Sequence, residues 1–271
     1  MKAKVIRIVF LIALFIVISR LGYFLMTKTT LSDEIQTYVA KIIFGIVISC
    51  YSIYFIKKYK YHYLIGISRP SFRNAYLYIY PLYIVLLIDI SNIKNLNVWQ
   101  MVIPFAGVFF HAFAEELTIR GLILPTLIER KQISAQSIKN AIWVSAIIFG
   151  LVHFISLSEY DFTSAITQVV YATIHGLFFG MLLIKGRNIY LISISHTLVN
   201  FFNRIKHIEQ PPLVITDAND SQSLLLTITL TIVLFSPLIG IALLFIRKIN
   251  DEDASEVRAA LFAAGKEHTG Y

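Results

Sequence analysis

The residues of this chain that can do chemistry are polar groups embedded in apolar runs. One run reads Phe110-His111-Ala112-Phe113-Ala114-Glu115-Glu116-Leu117-Thr118-Ile119-Arg120. A second reads Phe149-Gly150-Leu151-Val152-His153, and a third His196-Thr197-Leu198-Val199-Asn200. A charge at the centre of a bilayer costs roughly 2.5–3.5 kcal/mol on insertion scales, so two adjacent carboxylates and an arginine in one apolar helix need a reason. Glu116 and Arg120 stand at i and i+4, share a helix face and can pair. Glu115 points about 100° away, given 3.6 residues per turn, and is the carboxylate turned toward other helices. A glutamate with His153 can deprotonate a water. His196 and Asn200, again at i and i+4, can donate hydrogen bonds to a developing oxyanion. These are the parts for peptide hydrolysis without a covalent intermediate. A buried charge pair that only orients helices explains Glu116 and Arg120 equally well. It does not explain Glu115, and three separate helices each offering such a group weigh against structural histidines alone.

The elements that must carry these groups are membrane helices. Of the 271 residues, 57% are hydrophobic and 15% charged, whereas soluble domains carry about 25% charged residues. Folded in water, such a chain would expose apolar patches that aggregate. A span needs about 20 apolar residues. Windowed hydropathy predicts eight, at 6–26, 37–56, 75–91, 99–128, 138–157, 164–184, 189–203 and 222–246, an all-α polytopic bundle. The fourth is longer than a bilayer requires and is expected to tilt or kink. The seventh is short and polar and must be shielded by protein.

The net charge of +8 fits this reading better than nucleic-acid binding, because the basic residues flank the apolar runs. With the N-terminus inside, Lys2, Lys4, Arg7, Lys57, Lys58, Lys60, Arg69, Arg73, Arg130, Lys131, Lys139, Lys185, Arg187, Arg247 and Lys248 fall on the inner side. Acidic residues such as Asp33, Glu34, Glu159, Asp161, Glu209, Asp217 and Asp220 fall outside, which predicts cytoplasmic termini. The first apolar run is too long for a signal peptide and reads as a retained span. Tyr51, Tyr54, Tyr59, Tyr61 and Tyr63 read as an interfacial belt, and the single cysteine, Cys50, as a packing residue. The organisation is three spans over 1–97, a four-span catalytic core over 98–204, a loop and last span over 205–250, and a polar, mobile or loosely helical cytoplasmic tail over 251–271. There is no internal repeat and no nucleotide-binding glycine loop.

The three motifs, in this order, resemble those of the CPBP family of CAAX proteases and bacteriocin-processing enzymes, also called Abi. They are Glu115-Glu116 to Arg120, Phe149 to His153, and His196 to Asn200, and the resemblance covers about residues 98–204. It implies a membrane-embedded endopeptidase in which Glu115 and His153 activate water and His196 and Asn200 form the oxyanion site. The family is commonly labelled metalloprotease. If zinc were bound, Glu115, His153 and His196 would hold it, but there is no His-Glu-x-x-His motif and a metal-free reading is preferred. The implied partners are a peptide or protein substrate and the lipid bilayer, with no nucleic acid. The Ile-, Lys- and Asn-rich composition looks bacterial, which argues against prenylated substrates, and the resemblance then implies bacteriocin maturation or self-immunity. Two other classes stay open: a non-enzymatic immunity or scaffold protein, and a proton-coupled transporter, which lacks the expected repeated halves.

Several other polar residues are expected to be structural. His111, one turn before Glu115, tunes that carboxylate or caps a polar cluster, and His175 is structural or faces the cavity. Asn203 and Arg204 extend the face of Asn200. Arg20 and Lys41 snorkel to the interface, and Asp89 reaches water. Pro81, Pro104, Pro125 and Pro237 kink or end helices.

Overall fold

The computed structural model describes residues 2–26, 33–87, 97–128, 132–158, 161–205 and 221–263. These residues are mostly helical, apart from turns such as residues 59–74, and contain no strand. Helices satisfy their own backbone groups, which is what hydrocarbon demands. The order is α1 (Lys2–Met26), α2 (Asp33–Lys58), two 3₁₀ segments (Ala75–Tyr78 and Tyr80–Leu87), α3 (Val98–Thr118), a π-turn (Ile119–Ile123), α4 (Leu124–Leu127) and α5 (Ala135–Val152). A 3₁₀ turn (His153–Ser158), α6 (Phe162–Gly186), α7 (Ile189–Ile205), α8 (Ser221–Leu234), α9 (Ser236–Arg247) and α10 (Asp251–Phe262) follow.

Local sequence sets the helix starts. Asn97 and Gln100 form a reciprocal capping box at α3, Ser134 and Ser137 one at α5, and Asn250 and Asp253 one at α10. Asp161 caps α6 by accepting from the Ser164 N–H. Prolines mark the breaks: Pro125 opens α4 after the π-turn, and Pro237 opens α9 after a 57° bend from α8.

Among the described residues, four segments are long and apolar enough to cross a bilayer: Ile35–Lys58, Val98–Leu127, Ala135–Ile155 and Phe162–Gly186. The bent pair α8–α9 makes a fifth if it counts as one span. Outward-facing Phe10, Val17, Ile43, Trp143, Ile147, Leu226 and Leu244 are exposed, as lipid-facing residues should be. The fourth expected span is the 30-residue Val98–Leu127, interrupted by its π-turn. The expected eighth is the broken pair. The expected third is not an α-helix where it is described. Leu77 and Tyr78 are buried there, and Tyr78 donates to the Leu182 carbonyl at 3.5 Å. The segment thus packs Leu77 and Tyr78 on the bundle while Tyr76 and Ile79 stay exposed. As expected, α7 is short, 17 residues, and shielded: Ser193, Ser195, His196 and Thr197 are all buried.

Three expectations change. Residues 251–262 are neither mobile nor loose: α10 buries Ala254, Val257, Ala260 and Leu261 against the bundle. It is pinned by Asp253 on Lys185 at 2.6 Å and by Arg258 on the Ile133 carbonyl at 3.0 Å. Cys50 is exposed rather than packed. Tyr61 is buried, its hydroxyl 3.2 Å from Thr126, and so belongs to the core. Asp89, Glu159, the stretch 206–220, the end of the tail at 264–271 and the side chain of Arg204 lie outside the described residues.

The closest helix contacts run through glycines. A Cβ on Gly45 would meet the Phe110 carbonyl oxygen at 2.6 Å, which sets α2 against α3. One on Gly176 would meet the Ala146 Cα at 2.9 Å, which sets α6 against α5.

Candidate active site

Each polar group arrives on its own helix. Glu115 and Glu116 close α3 just before the π-turn, a local widening frequent at functional sites. Arg120 lies within that turn, fully buried, with Nη1 3.1 Å from Glu116 Oε1. Its guanidinium also stacks over Phe149, 4.3 Å from the ring centre, and lies 5.6 Å from Phe179. Among the described residues, Arg120 Nε and Nη2 and Glu116 Oε2 have no hydrogen-bond partner. So sparsely satisfied a charge pair is a poor source of stability, which favours a positioning role.

His196 of α7 stands between the two carboxylates. Its Nδ1 is 2.8 Å from Glu116 Oε1 and its Nε2 is 3.7 Å from Glu115 Oε2. On the other side of Glu115, Oε1 is 3.4 Å from His111 Nε2. Glu115 also interacts electrostatically with His153.

Simple counting along the helices places His153 too far toward the opposite end to meet Glu115. At this point α5 gives way to a 3₁₀ turn. α5 ends at Val152, and His153 folds its ring back, donating from Nδ1 to the Phe149 carbonyl at 2.8 Å. Its ring lies 4.8 Å from that of Phe149, which in turn lies 6.1 Å from the His196 ring. Phe149, the aromatic of the second motif, is therefore the common floor under Arg120, His153 and His196. Asn200 sits one turn after His196, half-buried, and among the described residues its side chain makes no hydrogen bond.

A small cavity of about 10 Å³ opens beside Glu115, lined by Ile12, Phe15, Thr118, Ile119, Phe149 and Val152. That is the size of a single water site. Two of its walls come from α1, and α1 is also tied to the site's edge by Arg20, which donates to the Ile155 carbonyl at 2.5 Å. Arg20 is thus a clamp and not a snorkelling interfacial charge.

The sequence reading underweighted His111 and missed Phe179, Ile12 and Phe15. His111 was legible from its i,i+4 spacing to Glu115. The others carry no chemical signal in the sequence. His175 is buried, bonded to the Tyr171 carbonyl at 3.1 Å, with its ring tilted against Phe179 and edge-on to Phe235; it supports the site from behind. Asn203 is exposed.

Among the described residues no group of three His, Cys, Asp or Glu side chains is gathered as an ion site. His196 turns Nδ1 to Glu116 and Nε2 toward Glu115, the orientation a carboxylate-held imidazole has when its other nitrogen is a ligand.

Residues 97–202 match the family model described as Rce1-like, type II CAAX prenyl endopeptidase Rce1-like. No curated protein and no solved structure matches the chain. The matched segment begins at the cap of α3, ends in the last turn of α7 and contains all three motifs. Residues 97–202 are therefore an Rce1-like domain of the CPBP (Abi) family, and the chain is an integral membrane protein carrying the domain of a CAAX-type intramembrane endopeptidase.

Proposed function

We propose that the chain hydrolyses a peptide bond using a water held between Glu115 and His153, with His196 and Asn200 receiving the oxyanion. The observation that carries this is the different fate of two adjacent carboxylates. Glu116 is consumed by Arg120 and His196, whereas Glu115, among the described residues, makes no ion pair with arginine, lies 3.4 Å from His111 and 3.7 Å from His196, and borders a water-sized apolar cavity.

Glu115 accepts a proton from the water as its oxygen bonds to the peptide carbonyl carbon. With Nδ1–H given to the Phe149 carbonyl, the neutral His153 ring carries its lone pair on Nε2, which accepts the water's second hydrogen. The negative charge moves to the former carbonyl oxygen, where the Asn200 amide donates a hydrogen bond. His196 donates there through Nε2, which requires the doubly protonated ring, since Nδ1–H is already given to Glu116. Collapse of the intermediate breaks the C–N bond, and Glu115 returns its proton to the leaving amine.

The substrate is a peptide presented at the bilayer. The bacterial-looking composition argues against a prenylated peptide, and analogy with the family suggests a bacteriocin-class peptide, in maturation or self-immunity. The test is cleavage of a quenched peptide library, with and without prenylated members, by detergent-purified protein with and without a chelator. Wild-type cleavage that persists in chelator and vanishes in Glu115→Gln and His153→Ala supports the mechanism. Cleavage retained by Glu115→Gln overturns it.

A further inference from the structure

Lys58, Gly186 and Arg247 end three apolar segments, so the residues that follow them stand at headgroup depth. Two of these following stretches are stitched together. Ile189 N–H donates to the Ile65 carbonyl at 3.0 Å, and Asn188 Nδ2 donates to the Ser71 carbonyl at 2.9 Å. α10 lies across them. Between α10 and this joint is a cleft of about 380 Å³ whose lining includes Tyr63, Arg69, Ser71, Arg73, Lys185 and Arg187, with Glu256 on the α10 side.

The charges do not balance. Glu256 is gripped by Arg73 at 3.1 Å and Arg187 at 2.5 Å, and Asp253 by Lys185 at 2.6 Å. Two acids face four cations, and among the described residues Arg69 makes no ion pair. Arg187 holds its place at a conformational cost: it is the left-handed C-cap of α6, φ 49° and ψ 48°, a position glycine takes without strain. Two guanidiniums already converge on a carboxylate here, and the same geometry suits the oxygens of a phosphate. Next along the chain from Ser71 of the cleft, Phe72, Tyr76 and Ile79 are exposed, spaced three to four residues apart.

We propose that this cleft binds the phosphate of an anionic membrane lipid, with an acyl chain lying along Phe72, Tyr76 and Ile79. Basic pockets between helices at a membrane surface take such headgroups. A free phosphate shares the cation chemistry but has no use for these apolar side chains.

The experiment follows thermal unfolding of the full chain in uncharged detergent while titrating dioctanoyl phosphatidylglycerol, dioctanoyl phosphatidylcholine or inorganic phosphate. Phosphatidylglycerol should raise the midpoint at concentrations where the other two do not. Arg69→Gln, which leaves the ion-pair network intact, should raise the half-saturating concentration roughly fivefold, in line with the contribution of one surface cation, and Arg69→Lys should restore it. Arg187→Gly, free of backbone strain, should weaken binding likewise. Equal shifts from both lipids, or unchanged titrations in Arg69→Gln and Arg187→Gly, would overturn the site. An equal response to inorganic phosphate would overturn its assignment to a lipid.

Discussion

His196 and Glu116 are joined across helices α7 and α3 by a 2.8 Å contact from ring Nδ1 to carboxylate Oε1. The same oxygen accepts from Arg120 at 3.1 Å, so one buried carboxylate sets both the arginine and the imidazole. Glu116→Gln leaves Arg120 buried without its counter-charge. Losing one partner of a buried pair costs about 3–5 kcal/mol. We expect a large drop in the unfolding midpoint together with loss of cleavage. The double variant Glu116→Leu with Arg120→Met should recover much of the stability and none of the activity. Measuring both on the same preparations separates positioning from folding.

Glu115→Gln should behave in the opposite way. Glu115 meets His111 at 3.4 Å and His196 at 3.7 Å, and amide contacts of that length lose little on neutralisation. The change removes the proton acceptor, so turnover should fall by about 10²–10⁴-fold, the usual worth of a general base. The unfolding midpoint should stay near wild type. A strongly destabilised variant would assign Glu115 to the structural network instead.

Gly150 lies three residues before His153 on the tightest part of the α5–α6 contact. A Cβ there would meet the Val169 carbonyl oxygen at 2.9 Å and collide with the Thr173 hydroxyl. Neither is the free end of a flexible chain, so Gly150→Val must move α5 away from α6. We expect a loss of about 1–3 kcal/mol from overpacking, read by denaturant titration, and a larger loss of cleavage, because His153 moves with α5.

Helical periodicity made much of this site legible. The i,i+4 spacing paired Glu116 with Arg120, set Glu115 apart and put His111 beside it. Hydropathy located the helices that carry the motifs. What it could not give was depth. His153 reaches Glu115's surroundings because α5 stops at Val152 and the ring folds back onto the Phe149 carbonyl, a local event no count along a straight helix contains. The π-turn holding Arg120 is equally invisible to a 3.6-residue period. Residues 251–262 read as a solvated tail because Asp251, Glu252 and Asp253 dominate their composition. Those acids are the first turn of a capped helix, where they complement the positive end of the helix dipole, and half of the apolar stripe behind them is alanine, Ala254 and Ala260 beside Val257 and Leu261.

The part played by α1 is the sharpest departure, since α1 lies outside the matched residues 97–202 and yet walls the Glu115 cavity with Ile12 and Phe15. Its anchor is Arg20, whose guanidinium donates to the Ile155 carbonyl two residues after His153. A hydrogen bond from a charged group is worth about 1.5–3 kcal/mol, enough to fix the 3₁₀ turn against α1. Removing it should let that turn shift, and a displacement near 1 Å at a reacting group can cost up to about 10²-fold in rate. Arg20→Ala should therefore lower turnover at least tenfold, with little change in the concentration of substrate that half-saturates. Arg20→Lys, which keeps the charge but not the forked geometry, should recover only part of it. Wild-type turnover in Arg20→Ala would show that α1 covers the site without helping to build it.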